Sequence, residues 1–576
     1  MKPTEAPDML DRVLMPAGAM EWEVAVAIVA EDAAAEAPDH AASLLAANPR
    51  LRLWNLVPGD AAGPASVAAP PAARLSRLPI DAAQPGAILA AIQAAGLVRQ
   101  VDALIALDAA LAADTSRLLG WWINAGLVLK PGGRIVMTLA DPTTPAGFQR
   151  IMQDISRFWR FQGLPCASLG FQSQEIATYL LTAIGFEIER LEACPAMDGR
   201  ESRDLCLVAR LARPGQAETF RPPLLAEAAA AGPRRGYSAF WTRQAARILA
   251  GQDPLRPDSR AAHDRLLANA DADDWSHAIE IGGGDARYTA EALAANPALR
   301  ILGFDVSQPL MEAAAARLAP AVAAGRLSYH AIDPAAPDSI LRVVEAAGLG
   351  RRIDAVFSID ALIHVGLQFQ IAYWLSAALV LKPGGWLIIS VADATSPAGF
   401  TRLVTDLPAA HAERFLPATR LEYLSPSLVR TLLEQCGFDV PYIWNWNPAD
   451  GGDEGRDLYV MARLARPEQA EALRHHLAPP PAAAQAELPP GPATRKARDT
   501  ADAPNDEAAR ALGQAYWRQM QIRQNPDMPR DQLRELIRQE WPASRRDATK
   551  LGQMVLRQLT NMGYRLEKIG TDGGET

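Results

Sequence analysis

The stretch HAIEIGGGDARYTAEAL, residues 277–293, sets an apolar run, an acid, three consecutive glycines and a helix-forming segment in succession. Glycines let the backbone turn tightly and approach a ligand, and a helix start offers unpaired N–H groups. Asp305 ends the next apolar run, in ILGFDVS, 21 residues after Gly284. A carboxylate there can accept both hydroxyls of a ribose, as the acid does in dinucleotide folds. The glycine turn alone is shared by many nucleotide folds; the acid at this spacing sharpens it. His364 follows a further apolar run in DAVFSIDALIHV. With an ordinary pKa of about 6.5, an imidazole can take a proton from an attacking hydroxyl or amine. Packing, a hydrogen bond at a helix start or a substrate contact is the alternative. Asp360, one turn earlier, can orient that imidazole or hold a substrate. Tyr237, Phe240 and Trp241 lie in the amphipathic segment GYSAFWTRQAARILAG, which either covers a ligand or packs.

These residues need a scaffold that brings strand ends together. Short β-rich apolar runs alternate with helical stretches, the pattern of βαβ units and a mostly parallel sheet. Strands are expected at 278–281, 300–305, 327–331, 355–359 and 386–392, and helices at 286–294 and 309–318. A long helix is expected over 362–381, ending at the Lys382-Pro383-Gly384-Gly385 turn, and an antiparallel hairpin over 442–446 and 458–463.

The pattern occurs twice. Residues 74–107 match 326–359 and residues 127–148 match 379–400, both at a register of 252. AIGFEIERL (183–191) faces QCGFDVPYI (435–443), DLCLVARLARP (204–214) faces DLYVMARLARP (457–467), and LAANPRLRL (45–53) matches LAANPALRI (293–301). So long a period means a duplicated domain, not a solenoid.

The second copy resembles the class I S-adenosylmethionine-dependent methyltransferases through EIGGGDA (280–286), GFDVS (303–307), AID (331–333), DAVFSIDALIHV (354–365) and LKPGGWLIIS (381–390). The resemblance implies a seven-stranded, mostly parallel sheet with one antiparallel strand, and S-adenosyl-L-methionine bound at the strands' carboxyl ends. It assigns Glu280, Gly282, Gly283 and Gly284 to the methionyl part, Asp305 to the ribose, and Asp333 or Ile332 to the adenine. It puts His364 near the methyl group as a candidate base, with Asp360 beside it, and makes Tyr237 and Trp241 a candidate lid. No metal site is assigned. Ala286 departs from the usual last glycine of the loop.

The first copy serves as an internal control. Where the glycine loop belongs it reads VAIVAEDAAAEAPDH (26–40); Val57 stands for Asp305 and Ala112 for His364. Asp81/Asp333, Asp108/Asp360 and Asp141/Asp393 are shared, which favours helix-cap or turn roles for them. The fold class expected is therefore α/β, with two tandem Rossmann-like methyltransferase folds and a C-terminal all-helical module. The divisions are 1–220 (a cofactor-free copy), 221–477 (the cofactor-binding copy with its N-terminal helical lid), a Pro/Ala-rich linker at 478–507, and a basic helical module at 508–576.

Composition bounds the rest. At 576 residues and 49% hydrophobic, the chain is far too long for one core and is not a disordered polymer. Four cysteines without a C-x-x-C pair argue against a disulfide scaffold and a zinc cluster. There is no apolar run near 18 residues, and MKPTEAPDMLDRVL lacks an export pattern, so a soluble cytoplasmic protein is expected. The net charge of −9 hides a tail at 508–570 with 12 Lys/Arg against 6 Asp/Glu. That tail has no nucleic-acid recognition motif and reads as a surface for a protein partner or the acidic body. The expected activity is methyl transfer to an O, N or C nucleophile of a small-molecule or glycan-like acceptor. The alternative is a non-catalytic methyltransferase-like adaptor or S-adenosylmethionine sensor.

Overall fold

Apolar runs buried at every position form the centre of each sheet. VAVAI (β1, Val24–Ile28) has no exposed residue, and its neighbours are β2 (Arg52–Pro58), β3 (Leu75–Ile80), β4 (Val101–Ala106), β5 (Leu129–Ala140), β6 (Phe186–Ala193) and β7 (Asp204–Leu211). Their order is β3-β2-β1-β4-β5-β7-β6, and β7 runs antiparallel to both of its neighbours. The second sheet repeats the plan with β8 (His277–Ile281), β9 (Arg300–Asp305), β10 (Leu327–Ala331), β11 (Ile353–Ser358), β12 (Leu381–Asp393), β13 (Tyr423–Leu424), β14 (Phe438–Trp446) and β15 (Asp457–Leu464). Its order is β10-β9-β8-β11-β12-β15-β14, with the two-residue β13 beside β12. Helices cover both faces, as strands without a polar alternation require. The computed structural model describes residues 13–28, 39–58, 74–81, 84–111, 113–160, 170–194, 204–226, 237–250, 259–333, 336, 338–412, 421–446 and 455–477. The chain divides at Pro480 into Met1–Pro480, which holds both sheets, and Pro481–Thr576. The expected linker and basic module, 478–576, lie outside the described residues.

Residues shared by the copies explain themselves at the amino ends of the strands. Asp354 accepts from Ser276 N and Oγ at 2.7 and 2.8 Å and from His277 N at 2.8 Å, and Lys382 of the Lys-Pro-Gly-Gly segment pairs with it. Asp102 accepts from Glu23 N and Val24 N at 2.8 Å and pairs with Lys130 in the same way. The repeated LAANP has an equally local cause. Asn48 donates to Ala19 O and Trp22 O, and Asn296 to Ala272 O and Trp275 O, tying the segment before β1 or β8 to the following helix end.

The copies pack on each other about a pseudo-two-fold axis. Equivalent serines, Ser173 and Ser425, touch each other Oγ to Oγ at 3.1 Å, and Ser427 donates to Glu175, its own counterpart. Helix Thr115–Val128 of the first copy lies on helix Pro397–Ala412 of the second; reciprocally, Pro145–Arg160 lies on Leu367–Val380. This is the isologous pattern of a symmetric dimer, made here within one chain. Gly120 allows the close approach: a Cβ on it would stand 2.8 Å from His411 of the other copy. Burial on both sides explains why Leu367–Val380 is apolar nearly all round.

Three expectations need correction. The helix expected over 362–381 is a 3-10 turn, Leu362–His364, followed by a helix at Leu367–Val380. Val365 is extended and Gly366 caps the second piece, so His364 is not on the long helix. The Lys-Pro-Gly-Gly turn is drawn into β12 through an irregularity in its pairing with β11. Two of the four cysteines, Cys194 and Cys206, form a disulfide across the β6–β7 hairpin. Cys436 is buried, and burial pushes its thiol up to about 12.

Asp354 is subject to opposing effects: burial raises its pKa, but the Lys382, His277 and Ser276 donors outweigh that and hold it below the ordinary value. A depressed carboxyl stabilises the fold above its unfolded pKa of about 3.9, and the contribution is lost as pH falls through the folded value. Asp354→Asn is therefore expected to lower stability by about 2 kcal/mol at pH 7. In thermal melts the gap from wild type should shrink below about pH 4; a gap independent of pH contradicts the assignment.

Candidate functional site

The loop after β8 is held by its own backbone. Gly282 N–H donates to Phe304 O at 2.6 Å, and Gly282 and Gly284 have φ of +73° and +56°. Ala286 lies at +61°, so the departure from glycine keeps a left-handed backbone, at a cost of roughly 1 kcal/mol. A Cβ on Gly283 would stand 2.5 Å from Glu280 Oε2. Glu280 itself is 1% exposed and accepts from the Thr289 hydroxyl of the following helix, Arg287–Ala295.

Asp305 ends β9 beside this loop. Its Oδ2 accepts from Gly284 N at 3.2 Å and its Oδ1 from Ser307 N at 2.8 Å. Each oxygen of a carboxylate has a second lone pair, so the arrangement can also accept two ribose hydroxyls. Ile332 is buried and its N–H donates to Asp305 O at 2.8 Å; Asp333 is exposed. Glu280, Gly282, Gly283, Gly284, Asp305, Ile332 and Asp333 thus gather at the carboxyl ends of β8, β9 and β10. Tyr329, against Gly303, lies in the field of Glu280 and Asp305; burial first, then those carboxylates, pushes its phenol up.

Asp360 follows β11 at φ +60°, and its N–H donates to Ser390 Oγ of β12 at 2.8 Å. A non-glycine residue held there stores strain of about 1–2 kcal/mol. Its carboxylate is 6% exposed and 3.7 Å from Arg456, which is bonded through Nε to Asp457 at 2.7 Å. His364 stands on the next turn with the Trp241 ring edge-on at 5.0 Å. Trp241 belongs to helix Tyr237–Leu249; the Tyr237 and Phe240 side chains are outside the described residues. Asp393 ends β12: Oδ1 accepts from Thr395 N and Oγ1 at 2.8 and 2.7 Å, and Oδ2 from Asn445 at 3.1 Å. Burial, countered in part by these donors, raises its pKa. Among the described residues no group of three or more His, Cys, Asp or Glu could hold a metal ion.

The three shared acid pairs do not behave alike. Asp81 and Asp333 take the same backbone turn, and Asp141 and Asp393 the same Thr-closed turn. Asp108 instead opens the short helix Asp108–Leu111, so the left-handed backbone belongs to Asp360 alone. Sheet register places Val57 at the position of Asp305 and, unforeseen in the sequence, Ala27 at that of Glu280. The expected first-copy loop is described only at 26–28, 39 and 40, and Ala112 is outside the described residues. Arg456 carries no signal in the sequence; Asn445 lies in the YIWNWNP stretch (442–448), whose aromatic and amide side chains alternating on a strand read either as a substrate wall or as hairpin packing.

A sheet of this order, with one antiparallel strand, a glycine loop after its first strand and an acid after its second, defines the class I methyltransferase fold. Residues 279–387 match the family model described as a methyltransferase domain, a family that uses S-adenosylmethionine. None of the curated proteins matches the sequence. Among solved structures, phosphoethanolamine N-methyltransferase 2 from Haemonchus contortus with S-adenosyl-L-methionine is 13% identical over 79% of this chain and 98% of its own, at a TM-score of 0.30. An S-adenosylmethionine-dependent methyltransferase from Anabaena variabilis is 14% identical over 42% of this chain and all of its own, at 0.30. Magnesium protoporphyrin IX methyltransferase from Synechocystis with bound S-adenosylhomocysteine is 18% identical over 41% and 90%, at 0.26. The second copy carries the methyltransferase domain at residues 279–387.

Thr289→Val removes the hydroxyl donor to buried Glu280. It is expected to cost about 2 kcal/mol, as for a hydrogen bond to a charged group, seen as a lower melting temperature; an unchanged melt would contradict this bond.

Proposed function

We propose that the second copy is an S-adenosylmethionine-dependent methyltransferase and that residues 1–220 form a cofactor-free partner. The observation that carries this is the Asp305 carboxylate, held by Gly284 N–H and Ser307 N–H next to a loop in which the Glu280 carboxylate leaves Gly283 no room for a side chain. Glu280 and Gly282–Gly284 hold the methionyl part, Asp305 the ribose, and Ile332 with Asp333 the adenine. Bound there, the cofactor supplies an activated sulfonium methyl. This chain's residues align an acceptor against it and remove the acceptor's proton. His364, under Trp241, is the base, and Asp360 is its orienting or substrate-binding neighbour. Trp241 with Tyr237 forms the lid. The acceptor is a small or glycan-like molecule bearing an O, N or C nucleophile, and the basic module at 508–570 docks a protein partner. No helix among the described residues is long and apolar enough to cross a membrane, in keeping with a cytoplasmic enzyme.

A ligand that prefers the native state raises its melting temperature. S-adenosylmethionine and S-adenosylhomocysteine should do so for the full chain, with one site per chain by calorimetry. Gly283→Asp and Asp305→Ala should each abolish the rise. Two sites per chain would remove the cofactor-free reading of the first copy, and unchanged affinity in both variants would remove the site.

A further inference from the structure

Two buried hydroxyls on adjacent strands each grip a backbone group of the site. Ser358, the last residue of β11, donates to Ile281 O at 2.9 Å, and Ser390 of β12 accepts from Asp360 N at 2.8 Å. Ile281 ends β8, and the N–H of the next residue, Gly282, goes to Phe304 O of β9. The peptide that opens the glycine loop is therefore held on both sides, its carbonyl by β11 and its N–H by β9. The segment between the two serines closes over the same loop. With Asp360 at φ +60°, the chain turns so that Ala361 lies on Gly282, where a Cβ would stand 2.3 Å from that of Ala361. Ala361 in turn caps the short turn Leu362–His364, and His364 N donates to Ala361 O at 3.2 Å.

The first copy keeps the strands and not these contacts. By repeat and by sheet register, Ala106 stands for Ser358 and Thr138 for Ser390. The Thr138 hydroxyl donates to Leu107 O instead, and Asp108 opens the helix Asp108–Leu111. The same sheet thus forms without a hydroxyl at the end of its fourth strand and without a left-handed residue after it. Neither is a demand of the fold, and strained backbone that a fold does not require points to the site beside it.

We infer that Ser358, Ser390 and Ala361 are positioning residues, which latch the glycine loop in its cofactor-binding form and fix the His364 turn against it. The inference rests on the methyltransferase reading. The left-handed Asp360 is what seats Ala361 on Gly282, so its backbone serves the cofactor side of the site. Without the latch the Ile281–Gly282 peptide is free to turn, and Gly284 N–H, two residues on, no longer meets Asp305 at a fixed place.

The test is the S-adenosylhomocysteine affinity of the full chain, measured by calorimetry well below the melting temperature, so no acceptor is needed. Ser358→Ala and Ser390→Thr install the first copy's residues. Each is expected to weaken binding by about 5- to 10-fold, the effect of one neutral hydrogen bond. Asp360→Gly keeps the left-handed backbone and should bind within about 2-fold of wild type. Asp360→Val, for which that backbone is an outlier, should lose at least about 10-fold. Merely structural contacts would lower the melting temperature and leave the affinity of the folded protein unchanged. Unchanged affinity in both serine variants, or equal affinity in Asp360→Gly and Asp360→Val, overturns the inference. If the wild-type protein does not bind S-adenosylhomocysteine, the methyltransferase reading fails and the inference with it. If it binds and the variants bind as tightly, only the latch fails.

Discussion

Carboxylates buried at the end of a parallel sheet must be met by donors, because an unpaired buried charge costs several kcal/mol. Much of the second copy follows from that demand. At the amino edge Asp354 collects backbone N–H groups, a serine hydroxyl and Lys382, and thereby fastens the start of β8. At the carboxyl edge Glu280, Asp305 and Asp393 take donors from the segments that follow them, and Asp457 takes one from Arg456 just before it. The two edges differ in one respect. The amino-edge clamp is the same in both copies, whereas at the carboxyl edge Ala27 and Val57 replace two of the acids.

The pseudo-two-fold packing gives the first copy a physical role of its own. Ser173 meets Ser425 across it, and the helices Thr115–Val128 and Leu367–Val380 each lie between their own sheet and a helix of the other copy. Tyr179 of the first copy packs edge-on to Phe400 of the second, and burial followed by the Asp393 charge raises its phenol pKa. Whatever stands at the carboxyl edge of one copy, its helices cover apolar surface on the other. That surface would otherwise face water, at roughly 25 cal/mol for each Å².

Much of this was legible in the sequence. Runs such as IDAVFS are buried throughout, so their strands could be placed to within a residue or two, and the repeat established that one topology is used twice. Glu280, the glycines and Asp305 were legible because they sit in two adjacent βα turns, where spacing along the chain is close to spacing in space. Asp360 was visible as a residue but not as a conformation: its left-handed backbone arises from the Ser390 contact, 30 residues away. Tyr423 lay in a segment with no periodicity, and a two-residue strand leaves no pattern to read. Asn445 acquires meaning only through Asp393, 52 residues distant.

The disulfide shows what the first copy did with the space. Cys194 and Cys206 occupy the sheet positions of Trp446 and Tyr459, which meet edge-on at 4.9 Å in the second copy. Both pairs close the same hairpin, one by a covalent bond and one by aromatic contact. A phenol at that position brings a hydroxyl among Asp360 and Asp457, and a cystine brings none. Had the hairpin needed only fastening, either pair would serve. The aromatic pair is found in the copy that also holds the glycine loop, Asp305 and the left-handed Asp360, so the polar groups at this edge occur together and are absent together. The structural clamps of the scaffold are otherwise the same in the two copies.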